Sequence, residues 1–203
     1  ASSLAKRLLP LAGATCGQTG TPLPVGTLAS AVVTGSQNLV GVVNETYVNI
    51  PAGQRQRQTV TSAFNQASAT QALAIPLYKV NHDNKNSGAQ VQNTNLTTAA
   101  TYRATFSLGS GASVATYVLE GTIPPGSAVT LYKLYAALPS GSAWVGAGFP
   151  ASWSTSSTAS ERFGSVTVTA NQPIVAAITE ADEDPVSSAR QDIKSYEAFN
   201  VTP

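Results

Sequence analysis

Residues 30–65 align without a gap on residues 165–200, at a constant offset of 135. The first stretch opens SAVVTGSQNLVGVVNE and the second SVTVTANQPIVAAITE; both continue through RQ to AFN. Identical pairs include Ser30/Ser165, Val33/Val168, Thr34/Thr169, Gln37/Gln172, Val40/Val175, Glu45/Glu180 and Phe64/Phe199, and in all 11 of the 36 positions agree. Chance in so biased a composition gives roughly two or three, so the pattern reads as a duplication. Leu39/Ile174 and Val43/Ile178 fill matching apolar slots. A weaker echo relates Leu8-Leu9-Pro10-Leu11 to Ala74-Ile75-Pro76-Leu77, and Leu23-Pro24 to Leu138-Pro139. Residues 66–203 then hold one complete unit. Residues 1–65 hold a unit without the part that corresponds to Tyr78 through Ala137. A unit without its middle strands has uncovered faces and open backbone edges, and something else must cover them.

The complete unit reads as strands. Thr101 to Leu108 alternates, with Tyr102, Ala104, Phe106 and Leu108 on one face and Thr101, Arg103, Thr105 and Ser107 on the other. Period two over eight residues is the mark of a half-buried antiparallel strand. Gly109-Ser110-Gly111 turns the chain into a second strand, Ser113 to Gly121, and Pro124-Pro125-Gly126 into a third, Ala128 to Tyr135. In the duplicated segment, Val166 to Thr169 alternates, Ala170-Asn171-Gln172-Pro173 reads as a turn, and Ile174 to Thr179 suits a buried strand. Its counterpart is Ala31 to Thr34 followed by Leu39 to Val43, and Val60 to Phe64 and Ile193 to Phe199 close the two copies. No segment of helical length carries an apolar stripe with caps. The expectation is an all-β chain of antiparallel β-sandwich units, jelly-roll or immunoglobulin-like, with the first copy truncated.

Charge narrows the function. Charged residues make up 10% of the chain and the formal net charge is +1, so no electrostatic footprint for nucleic acid or an anionic membrane exists. A weakly charged surface also repels its own copies poorly. No run approaches the roughly 18 apolar residues of a transmembrane helix. The sequence has no Met and starts at Ala1, which fits a secreted chain whose signal peptide has been removed. Cys16 is the single cysteine, so an internal disulfide is excluded; a buried apolar role or a link between copies remains.

Four stretches carry a family likeness: Ile75-Pro76-Leu77, Asn81 to Asn86, Gly88-Ala89-Gln90-Val91-Gln92-Asn93 and Ser165 to Ala177. In this order they resemble the β-rich repeat modules of secreted surface proteins from filamentous green non-sulfur bacteria. The likeness covers 66–200 fully and 30–65 in part. It departs at the closing strand, Ser195-Tyr196-Glu197-Ala198-Phe199, where those modules carry Tyr-Asn-Gly-Phe. It implies extracellular or surface architecture and no reaction.

Residues suited to chemistry are sparse. His82 is the single histidine and lies in the polar loop Asn81-His82-Asp83-Asn84-Lys85-Asn86 between two strands, where a solvated side chain is the default. Glu180, Asp182, Glu183 and Asp184 form the densest acidic cluster but lack the spacing of a calcium loop. Asn44, Asn95 and Asn200 head glycosylation sequons that composition alone can produce. No catalytic, cofactor-binding or metal-ligating residue is assigned, and an enzyme is not expected. Trp144, Phe149 and Trp153 lie in an insertion absent from the first copy, fit for packing, a partner subunit or sugar.

The leading expectation is a structural subunit that polymerises with copies of itself into an extracellular filament or surface layer. Residues 1–20 are the candidate donor strand, with Leu4, Leu8, Leu9 and Leu11 as interface residues beside Lys6 and Arg7. Trp144, Phe149 and Trp153 are further interface candidates. The alternatives are an adhesin or carbohydrate-binding module recognising surface glycans, and a jelly-roll capsid or shell protein.

Overall fold

The computed structural model describes residues 30–34, 36–37, 39–47, 57–182 and 193–201. The chain is all-β. Its strands are β1 (Val42–Tyr47), β2 (Arg57–Ser62), β3 (Thr70–Lys79), β4 (Lys85–Asn93), β5 (Ala100–Leu108), β6 (Ala115–Ile123), β7 (Ala128–Leu131), β8 (Ser142–Trp144), β9 (Phe163–Asp182), β10 (Ile193–Glu197) and β11 (Phe199–Asn200). All of their pairings are antiparallel. β1 and β2 form a separate two-stranded hairpin, and the other nine strands join one curled sheet.

The 20-residue β9 organises that sheet. Its first half lies between β5 and β3, from Tyr102↔Ala170 to Leu108↔Gly164 on one side and from Ala72↔Thr169 to Lys79↔Phe163 on the other. Its second half lies between β4 and β10, with Ala89↔Ile178 and Tyr196↔Ile178 as facing pairs. The expected turn at Ala170–Pro173 is therefore a corner inside one strand. Thr70 faces Ile174 and Ala72 faces Thr169, so the extra residues bulge out of β9. Neighbours saturate the corner: Asn171 Oδ1 accepts from Thr101 N at 2.8 Å, Gln172 Oε1 from Asn95 Nδ2 at 2.8 Å, and the Pro173 carbonyl from Thr94 N at 3.0 Å. With its polar groups satisfied sideways, the chain need not reverse.

The meander holds for β5 and β6, which pair from Ala100↔Ile123 to Leu108↔Ala115. The third strand behaves differently. β7 is shorter than expected, and it crosses to pair with β4, Ala89↔Leu131 through Gln92↔Ala128. β3 and β4 meet at a tight turn: His82 and Lys85 exchange backbone hydrogen bonds of 3.0 and 2.9 Å, and Asp83 and Asn84 both have positive φ, 50° and 58°. Short Asp and Asn side chains suit such a primed turn. From it the two strands diverge, β3 to the first half of β9 and β4 to the second.

The inward faces of both halves share one core. Tyr102, Ala104, Phe106 and Leu108 are buried as their alternation requires, together with Ile75, Val91, Leu119, Leu131, Val166, Val168, Ile174 and Ile178. The Tyr78 hydroxyl crosses this core from β3 and donates to the Leu131 carbonyl of β7 at 2.9 Å. Pro76 sits where the register of β3 slips against β9 between Ile75 and Tyr78, the kind of site that tolerates a residue without an N–H.

Candidate assembly surface

The hairpin β1–β2 repeats the β9–β10 hairpin in register as well as in sequence. Val42↔Ser62, Val43↔Thr61, Asn44↔Val60, Glu45↔Thr59 and Thr46↔Gln58 each become, on adding 135, a β9–β10 pair from Ala177↔Glu197 to Ala181↔Ile193. The hydrogen bond from Ala63 N to the Gly41 carbonyl, 2.9 Å, has its counterpart from Ala198 N to Ala176, 3.0 Å. Local pairing in the first copy differs from expectation in one respect. Residues 31–34 carry no strand, and β1 pairs with β2, whose residues come after it.

What differs is the surroundings. In the second copy, β9 carries β4 on the edge opposite β10. β1 has β2 on one edge and, among the described residues, no strand on the other. Ile178 is fully buried, whereas its equivalent Val43 is 47% exposed. Val32, Val33, Leu39, Val40, Val42 and Val60 are exposed as well, and Val40 is 98% exposed. Half of the fourteen large exposed apolar side chains among the described residues thus come from 30–62.

Hydrogen bonds tie the hairpin, and the stretch ahead of it, to the body. Ser195 of β10 donates from Oγ to the Val60 carbonyl at 3.3 Å and shares a short hydroxyl contact with Thr59, and Ser30 Oγ donates to the Gly126 carbonyl at 2.8 Å. Between the hairpin and the outer face of β4, β7 and β9 runs a groove of about 280 Å³. Val43, Thr59 and Thr61 form one wall, and Gln90, Tyr132 and Thr179 stand on the other. Through Val43 and Thr61, the wall includes the positions that in the second copy are Ile178 and Tyr196, residues of or against the core.

The other residues singled out from the sequence fall elsewhere. Leu4, Leu8, Leu9, Leu11 and Cys16 lie outside the described residues, as do Glu183 and Asp184. Phe149 and Trp153 are 7% and 5% exposed and stack on each other at 5.2 Å. Phe149 packs edge-on to Phe106 at 5.1 Å and to Tyr117 at 5.0 Å; half-buried Trp144 joins them, 4.8 Å from Phe149. These rings close one end of the chain's own core, so the faces of Phe149 and Trp153 are occupied within the chain. Arg162, 8% exposed, lies over Trp153 and donates to the Trp153 carbonyl at 3.3 Å and to that of Thr155. It thereby fixes the short 3-10 turn at Ala151–Ser154 against the sheet.

His82 has its ring 4.7 Å from that of Phe163, and Nδ1 is 3.2 Å from the Ala159 carbonyl. Glu180 and Asp182 point inward and pair with lysines, Glu180 with Lys79 at 2.8 Å and Asp182 with Lys85 at 3.8 Å. Lys85 is shared with Asp83 at 3.2 Å. Among the described residues no three His, Cys, Asp or Glu side chains cluster as a metal site would need. Among the described residues no helix is long and apolar enough to cross a membrane. Asn95 spends its carboxamide on the backbone of Thr97 and Thr98 and on Gln172.

Comparison with known proteins adds little. No protein-family model matches the chain, and no curated protein does. One similar solved structure is the crystal structure of Thermotoga maritima 1070, 17% identical with a TM-score of 0.42, the match covering 64% of this chain and 94% of that one. A likeness at that level says nothing about function.

The groove escaped sequence reasoning because it lies between elements distant in the chain. The signal that pointed toward it was the repeat: equivalent residues that are core in one copy need cover in the other.

Proposed function

We propose that the chain is a structural subunit that joins copies of itself by strand complementation, building a filament or layer outside the cell or on its surface. The observation that carries this reading is the pair of hairpins with one register and two environments. The second hairpin is flanked by β4 and backed by a core; the first has, among the described residues, no strand on the far edge of β1, with Val42 exposed in it and Val33 and Val40 exposed ahead of it. Two-stranded hairpins alone are marginally stable in water, and a strand added along an open edge satisfies backbone groups while burying side chains. Each leucine so buried contributes about 1.5–3 kcal/mol. The low charge, 10% of residues, adds little repulsion between copies. An interface in which one copy gives a strand and the next receives it is head-to-tail, so it propagates unless it closes into a ring. Extracellular placement rests on the family likeness of the repeat.

The test compares the full chain with a variant lacking residues 1–20, by negative-stain electron microscopy and size-exclusion chromatography with light scattering. Polymers from the full chain and monomers from the truncated one are expected. Polymers of unchanged length from the truncated chain would refute the reading.

A further inference from the structure

We infer that the β1–β2 hairpin is a lid: it lifts from the nine-stranded sheet as one unit while that sheet stays folded, and lifting bares the outer face of β4, β7 and β9 along the groove. The inference does not rest on the assembly reading.

A two-stranded hairpin is marginally stable alone in water, so what it packs against decides whether it stays formed. The second hairpin is well packed. Ile178 and Ile193 are buried, and β4 pairs along β9 from Lys85↔Asp182 to Asn93↔Ile174. In β1 and β2, no side chain whose burial is described is buried. Val43, on the face toward the sheet, keeps 47% of its surface exposed; Val42 and Val60, on the other face, keep 68% and 54%. Few buried apolar contacts are the mark of an element that opens at a lower free energy than the whole fold.

The seat of the hairpin is equally thin. Among the described residues no backbone ladder joins β2 to β10, and β1 and β2 make up a sheet of their own. A side chain bridges them: Ser195 Oγ donates to the Val60 carbonyl at 3.3 Å and touches the Thr59 hydroxyl. Elsewhere the hairpin meets the sheet across the groove of about 280 Å³, whereas packed interiors hold few voids larger than a water molecule.

The base of the hairpin suits a pivot. The Ala63 N–H donates to the Gly41 carbonyl at 2.9 Å, and a Cβ on residue 41 would stand 2.7 Å from that of Ala63. The two strands are thereby held together where they leave the body. Asn65 is already part of that body. Its side chain accepts from Ala67 N at 2.9 Å and caps the 3-10 turn Gln66–Ser68 that leads into β3. Phe64, between these two fixed points, is the residue about which the hairpin swings.

The test is hydrogen–deuterium exchange of the full chain, read by mass spectrometry on peptides from both hairpins. Equal register supplies the control, since β1–β2 pairs have their equivalents in β9–β10. Once lifted, the first hairpin loses its ladder and exchanges. Its amides should exchange about a hundredfold faster than their equivalents, at one common rate. A clamp then identifies the motion. Because the Thr59 and Ser195 hydroxyls touch, Thr59→Cys/Ser195→Cys in a Cys16→Ser background brings two sulfurs within disulfide reach. Oxidation should slow exchange in β1–β2 by about tenfold or more, and reduction should restore it. Equal exchange in the two hairpins of the unclamped chain would overturn the lid. So would fast exchange that the disulfide does not slow, because the strands would then part in place without lifting. Failure of the disulfide to form would show that β2 does not rest on β10, and would overturn the closed state.

Discussion

Tyr78→Phe should make the protein less stable at neutral pH and more stable in strong alkali. Tyr78 is 2% exposed, and its hydroxyl joins β3 to the Leu131 carbonyl of β7 at 2.9 Å. Phenylalanine keeps the edge-on contact with Phe106, 5.3 Å between ring centres, and loses the hydrogen bond. A buried carbonyl left short of a donor costs about 1 kcal/mol. Burial, with smaller contributions from Tyr196 and Tyr135, holds the Tyr78 phenol far above its ordinary value. A tyrosine of the unfolded chain loses its proton near pH 10. Below that pH both states hold the proton and Tyr78 contributes its full stability. Above it the unfolded state gives the proton up and the folded state does not, so this residue removes about 1.4 kcal/mol per pH unit. The phenylalanine variant is free of that loss. Tyr102 and Tyr196, both raised chiefly by burial and Tyr196 to about 12, remain in both proteins and cancel. The two stabilities should cross near about pH 11. Urea unfolding followed by tryptophan fluorescence, repeated from neutral pH to about pH 11.5, measures both curves. Parallel curves above pH 10 would show that the Tyr78 phenol ionises as easily folded as unfolded, and the argument would fail.

Two further substitutions probe the core and the corner strand. Phe106→Ala removes a fully buried ring that touches Tyr78, Trp144 and Phe149; it should cost about 3–5 kcal/mol in urea unfolding, with Phe106→Leu costing far less. Gly164→Ala would place a Cβ 2.1 Å from the Ser107 carbonyl oxygen and 2.9 Å from the Leu108 Cα, so β5 and β9 must separate there; a loss of about 1–3 kcal/mol is expected, and an unchanged urea midpoint would mean that the strands do not approach so closely.

The core strand β5 was legible because its signal is local. Alternation alone places Tyr102, Ala104, Phe106 and Leu108 on one face, and one face is what the core buries. The corner of β9 was not, because Asn171, Gln172 and Pro173 carry the same turn chemistry whether the chain reverses or swings aside. Thr101, Asn95 and Thr94, all remote in sequence, decide the matter by satisfying the bulge. β7 illustrates the same limit: Ala128 to Leu131 reads as a strand, but nothing in it says that its partner is β4 and not β6. Trp144, Phe149 and Trp153 read as fit for packing, a partner subunit or sugar, and nothing local chooses among these. Their burial depends on Phe106 and Tyr117, whose rings meet them from other strands. Of the candidate site, the repeat was legible and the groove was not.

The two hairpins amount to a comparison made inside one chain. Backbone register is the same in both, so pairing chemistry cannot account for their difference in burial. Side chains account for part of it: Tyr196 becomes Thr61, and Lys194, on the strand beside Glu180, becomes Thr59. These exchanges shorten each residue that would reach across to a covering layer. A hairpin that had lost its cover for good would be expected to trade its valines for polar residues, because exposed apolar edges invite aggregation. Val33, Val40 and Val42 remain, with Val40 almost wholly exposed. Shortened reach on the groove wall combined with retained valines is what the proposed strand complementation calls for. Leu8 is bulkier than Ala74 and Leu9 matches Ile75 in volume, and Leu8-Leu9 stands where that pair stands in the repeat. In the proposed complementation, a bulkier donor residue would offset the shortened acceptor side chains, as a volume-conserving core requires.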